Sequence, residues 1–305
     1  MALRSFAKRV GESLLVHSGI TAAARTTMRD RALILAYHNI VPDEAPCEGD
    51  LPNHLTLSAF EAQLEAVRQT HDVVPLQDLI DGDPRTGRAR VAITFDDAYR
   101  GAVLLGLPAV AARGLSATIF VAPDLLGGQT FWWDALAATG GGLSPALRLE
   151  ALERLAGDGN TIRQWARARG VGDVAPSCAF RRSATTEELR TAAALPGISL
   201  GSHTWSHPVL TRVSHERLVA ELHLSRQWLR QQDAVTVDAI AYPYGGVDER
   251  VMAEARRAGY RAGFKVDGGW MRGAVASGFD APRLNVVPRL SDAGFRIRLA
   301  GLLSH

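Results

Sequence analysis

The chain has 305 residues, 47% of them hydrophobic and 22% charged, with a formal net charge of +2. Such a chain can bury a full core, as one large α/β domain or two small ones; its charge gives no footprint for nucleic acid, and no apolar run is long enough to span a membrane. Two cysteines, Cys47 and Cys178, are too few for a disulfide scaffold or a cysteine zinc site and read as buried or idle thiols.

Residues 1–30 read as an N-terminal helical extension. Leu3, Phe6, Val10, Leu14 and His17 recur at helical spacing among basic neighbours. Glu12, His17 and Gly19 interrupt the apolar stretch, so a retained helix is expected rather than an export signal. That face can pack on the domain or rest on a membrane surface. The expected location is therefore cytoplasmic, with peripheral membrane contact as an option and export left open.

Apolar strand-like runs then alternate with helical stretches. Strands are expected at 32–37, 72–76, 91–95 and 116–121, with a helix capped by Ser58 and another over 100–113. The alternation lapses over 123–196, which reads as a helical insertion between two strands of one barrel. It resumes with strands at 198–201, 238–242, 261–264 and 283–287 and helices after Ser214 and Gly246. Repeated β-then-α units imply parallel strands with right-handed crossovers. The fold class is α/β, a distorted (β/α) barrel with fewer than eight regular strands. The domain spans 31–290, and 291–305 reads as a C-terminal tail.

Three strand ends carry polar residues. Asp96 and Asp97 follow the run AITF; adjacent residues there point in different directions, and taken alone they suit a helix N-cap as well as a site. His203 and His207 follow the run ISLGS and can meet on one face of a helical turn, a spacing that suits a divalent cation or arises by chance. The turn YPYGG after the third run offers amides that can stabilise an oxyanion, though alone it says little more than turn. One carboxylate and two imidazoles make a three-ligand set that leaves room for water on a metal, and a second carboxylate beside it can act as base. That inventory suits hydrolysis of an amide or ester.

These segments resemble the polysaccharide deacetylases, the NodB-homology proteins of carbohydrate esterase family 4. TFDDA, HTWSH and AYPYG match the family's motifs in order, and the opening ALILAYHNI resembles members that begin with a Tyr-His strand. The resemblance covers roughly residues 30–290. It implies that Asp97, His203 and His207 bind the metal, that Asp96 is the general base, that the Tyr244 amide holds the oxyanion, and that Pro243 and Tyr244 shape the acetyl pocket. Zn²⁺ is the expected cation, with Co²⁺ or Ni²⁺ able to fill the same ligands. The implied substrate is a carbohydrate bearing N-acetyl groups.

Two departures stand out. The Arg that usually lies two residues before the motif's Pro is Ala241 here, and Arg283 could supply the cation from another strand. The usual late Leu-x-His motif is absent, which leaves His38, at the end of the first strand, as the substitute general acid. Trp205 could wall the pocket. Trp132 and Trp133 suit stacking on a sugar or an ordinary small core equally, while His54, His71, His215 and His223 read as structural or exposed. Alternatives are hydrolysis of another N- or O-acyl group, or a degenerate glycan-binding module without activity. If cytoplasmic, the substrate would be a glycan precursor, lipid-linked or nucleotide-linked; if exported, a finished polysaccharide.

Overall fold

The sheet curls until its last strand returns to its first. A computed structural model describes residues 11–82, 87–137, 142–172, 174, 176–272, 275 and 278–302. Its strands are β1 (Arg31–Tyr37), β2 (Asn39–Val41), β3 (His54–Thr56), β4 (Asp72–Val73), β5 (Arg90–Phe95), β6 (Ala117–Val121), β7 (Ile198–Ser202), β8 (Thr236–Ala241), β9 (Ala262–Phe264), β10 (Met271–Arg272) and β11 (Leu284–Asn285). Strands β1, β5, β6, β7, β8 and β9 pair in parallel in that order. Phe264 bridges to Ala281, and β11 then lies parallel to β1 with Leu35 opposite Leu284. The result is the expected distorted barrel, with helices outside it.

β1, β5 and β6 are buried almost throughout because both of their faces are covered. Side chains alternate between two cores. Leu33, Leu35 and Tyr37 face the main core beneath the helices, whereas Ala32 and Ile34 join Ala92, Phe120, Ala239, Ala241 and Phe264 in a smaller one. Alanine is the commonest residue of that second cluster, and small side chains leave room inside a barrel for one long side chain.

Several local expectations are corrected. β4 is only two residues long, because Pro75 starts the helix Leu76–Asp81. Thr56, not Ser58, stands at the N-cap of the helix Leu57–Thr70; Ser58 instead gives its N–H and hydroxyl to Asp43. The helix over 100–113 is a wide π turn at Ala102–Gly106 followed by Leu107–Ala111. Pro108 lacks the N–H that a regular α-helical ladder needs there. The helix His215–Arg230 has Ser214 as its N-cap, accepting from the Arg217 N–H.

Residues 123–196 lie between β6 and β7 and carry the helices Trp132–Ala135, Pro145–Arg154, Gly159–Arg167 and Thr186–Ala193. The expected tail contains the helix Asp292–Leu299, whose Phe295 and Leu299 are buried in the main core, so the packed body extends past residue 290. Of the N-terminal stripe, Leu3, Phe6 and Val10 lie outside the described residues; Leu14 is exposed, and Glu12 accepts from the Ser291 hydroxyl at 2.6 Å. Among the described residues no helix is long and apolar enough to cross a membrane. Cys47 is exposed and Cys178 half-buried, and both are free.

Candidate metal centre

Asp96 and Asp97 part company through the backbone. The Asp96 N–H still donates to the Tyr37 carbonyl at 2.9 Å, extending the ladder. Asp97 and Ala98 then take left-handed φ of 70° and 53°, which swings the Asp97 carboxylate toward the histidines. Such φ values on residues other than glycine are strained and cluster at functional sites.

The two histidines do not sit on a helical turn. Residues 203–207 form an irregular loop in which Thr204 and His207 also have positive φ, 67° and 64°. Buried Glu221 holds this loop, accepting from the N–H groups of Trp205 and Ser206 at 3.0 and 2.7 Å and from the Ser206 hydroxyl at 2.5 Å. His203 Nδ1 lies 2.8 Å from the Ala241 carbonyl, which fixes the proton there and leaves Nε2 free.

His203 Nε2 and His207 Nε2 are 3.1 Å apart, and they lie 3.4 and 3.1 Å from Asp97 Oδ1. Ligands about 2.1 Å from a tetrahedral ion are separated by roughly 3.4 Å, so these atoms fit one small divalent cation. All three residues are buried, and Asp97 Oδ1 has no hydrogen-bond partner. Burial opposes ionisation of Asp97, but the adjoining His203 and His207 imidazoles outweigh it and hold the carboxyl well below the usual range.

Asp96 has a different partner. Arg283 donates through both terminal nitrogens to its two oxygens, at 2.8 and 2.6 Å. Its Nε–H donates to the Lys265 carbonyl at 2.7 Å and its guanidinium lies 5.5 Å from the Phe120 ring. This side chain is fully buried, so the cation absent from strand β8 is supplied from the residue preceding strand β11. Burial would raise the Asp96 pKa, yet the Arg283 charge lowers it below the ordinary value.

A cavity of about 150 Å³ holds Asp96, Asp97, His203 and His207 together with His38, Trp133, Tyr242, Tyr244 and Val266. His38 is half-buried there. Tyr244 has φ 57°, and its ring packs edge-on 4.7 Å from His207. Pro243 is buried but does not line the cavity. Trp205 lines a neighbouring cavity of about 330 Å³ that shares Trp133 and His207 with the first.

Sequence reasoning missed the support beneath Trp133. Asp134 is 3% exposed and accepts from the Asp50 N–H at 2.7 Å, from His54 Nε2–H at 2.9 Å and from the Tyr99 hydroxyl at 2.6 Å. Tyr99 accepts in turn from the Trp133 indole at 2.5 Å, and that ring lies 5.2 Å from His207. His54 is thus structural. Asn53, Arg148 and Asn285 also reach the site cavity without a sequence signal.

The class the fold and site define is an α/β protein with a curled parallel barrel, a buried carboxylate–imidazole trio that could hold a small cation, and a second, arginine-held carboxylate beside it. The chain belongs to the polysaccharide deacetylase family, whose model matches residues 83–263, more than half of its length. It is 38% identical over 65 residues to chitin deacetylase 1 of Cryptococcus neoformans var. grubii and 39% identical over 66 residues to chitin deacetylase 2 of Saccharomyces cerevisiae. Those matches span 21% and 22% of this chain and only 14% and 21% of those relatives.

Among solved structures, it is similar to IcaB from Ammonifex degensii, with TM-score 0.59 and 17% identity over 90% of this chain and 98% of that one. The Streptococcus pyogenes deacetylase PplD in complex with acetate gives 0.58 and 18%, over 88% and 97%. At these identities the likeness is one of fold.

Proposed function

We propose that this protein is a metal-dependent hydrolase that removes N-acetyl groups from the amino sugars of a glycan or its precursor. The observation that carries this reading is the approach of Asp97, His203 and His207 to within 3.4 Å beside a carboxylate clamped by Arg283. Asp97, His203 and His207 would hold a divalent cation, Zn²⁺ by their ligand chemistry, with Co²⁺ or Ni²⁺ able to take the same set. That cation supplies a more acidic water and a pull on the acetyl carbonyl.

The remaining chemistry falls to the chain's own residues. Asp96 is ionised at neutral pH and each of its oxygens keeps a free lone pair, so it accepts the proton of the attacking water. Arg283 fixes its plane. The Tyr244 amide donates to the developing oxyanion. His38, in the same cavity, protonates the leaving amine. Trp133 and Tyr244 form apolar walls of acetyl size, and Trp205 faces the adjoining cavity where a further sugar would lie.

The test is acetate release from a panel of N-acetylated sugars and oligosaccharides by protein with and without chelator, and with Zn²⁺ or Co²⁺ restored. Release that is lost on chelation and returns with metal supports the reading. Release only from O-acetyl esters would move it to that chemistry.

A further inference from the structure

Beside the catalytic cavity lies a larger one of about 850 Å³, in the size range of clefts that bury small ligands. Its walls are mainly apolar, with Val41, Leu51, Leu143, Leu149, Leu152 and Val287 facing in. Leu149, on its rim, is 58% exposed.

Three features join the two cavities. Arg148, on the insertion helix Pro145–Arg154, lines both. The short turn Leu51–Asn53 separates them, with Asn53 on the catalytic side and Leu51 and Pro52 on the apolar side. The end of β11 and the segment after it do the same, with Asn285 in the catalytic cavity and Val287, Pro288 and Arg289 in the apolar one.

The apolar cavity is also cationic. Among the described residues, Arg148, Arg181 and Arg289 line it against a single carboxylate, Asp50, which Arg148 already pairs. Arg181 is 2% exposed; among the described residues it has one ion pair, to Glu48 at 3.3 Å, and its buried Nε–H has no partner. A buried donor without a partner is costly unless a ligand satisfies it.

We infer that the substrate is an amphiphile: an N-acetylated sugar joined through a phosphate to a hydrocarbon chain. The sugar occupies the catalytic cavity, the phosphate lies by Arg148, and the chain fills the apolar cavity. This rests on the deacetylase reading and names its substrate class. A plain polysaccharide gains nothing from such a wall, and a nucleotide would leave most of it without contact.

The test uses the full chain and N-acetylglucosaminyl phosphate diesters carrying methyl, hexyl or decyl groups, below their micellar concentrations, beside a uridine diphosphate sugar. Burial of each methylene is worth about fourfold in affinity, so kcat/KM should rise at least roughly tenfold from methyl to decyl. Leu149→Glu, at an exposed position, should collapse that ratio. Equal kcat/KM for methyl and decyl, or a preference for the uridine diphosphate sugar, would overturn the inference and leave the deacetylase reading standing. If no diester releases acetate, tryptophan-fluorescence titration with decyl phosphate decides: binding by wild type that Leu149→Glu loses supports the cavity's role, and no binding overturns it.

Discussion

Arg283 grips both oxygens of Asp96 from 187 residues away along the chain, at 2.8 and 2.6 Å, with neither side chain more than 2% exposed. Such a pair is costly to break, because the surviving charge stays buried.

Arg283→Met should therefore remove about 3–5 kcal/mol of stability. It should also change the pH profile. Arg283 holds the Asp96 pKa below its ordinary value, so wild-type kcat/KM should stay high until the pH falls beneath the usual carboxylate range. Without Arg283, burial dominates and the acid limb should move upward. A pH–rate profile checks this, and an unmoved acid limb would separate Asp96 from the base role.

Asp96→Asn should lower turnover by about 10²–10⁴-fold while keeping bound metal, whereas His203→Ala should lose both. Metal analysis beside kcat gives the answer. Equal metal loss in the two variants would overturn the division between ligand and base.

Tyr99→Phe should leave the Asp134 carboxylate and the Trp133 indole each short of a partner, at a cost of about 1–3 kcal/mol per group. Denaturant unfolding reads the loss. A variant as stable as wild type would remove Asp134 as the anchor of this wall.

A second pH dependence concerns stability. His71 is 1% exposed, lies 2.9 Å through Nε2 from the Leu299 carbonyl, and is pushed by burial down to about 4. Unfolded, it titrates near 6.5, so its contribution is full above that pH and is lost as pH falls toward 4. The amount is about 3 kcal/mol. Unfolding free energies between pH 7 and 4 should fall less steeply in His71→Gln, and equal slopes would contradict the assignment.

The barrel was legible because doubly covered parallel strands read as continuous apolar runs, and β1 and β5 nearly match theirs. The metal trio was legible because its residues follow strand ends in short motifs. Arg283 showed only as a substitute for the cation missing at Ala241. Glu221, Asp134 and Arg148 were not legible. Their partners lie far away in sequence or on irregular loops, and a lone polar residue paired at long range carries no periodicity. The loop at 203–207 deceived for a related reason: i,i+4 spacing suggests a helix, but two left-handed residues and a remote carboxylate shape the chain there.

The most direct measurement is a Zn²⁺ titration of the chelated full-length protein with acetate release as the readout. Activity rising to a break at one ion per chain is predicted from the trio of Asp97, His203 and His207, the single such group among the described residues. Undiminished acetate release from thoroughly chelated protein, with no response to added metal, would contradict it.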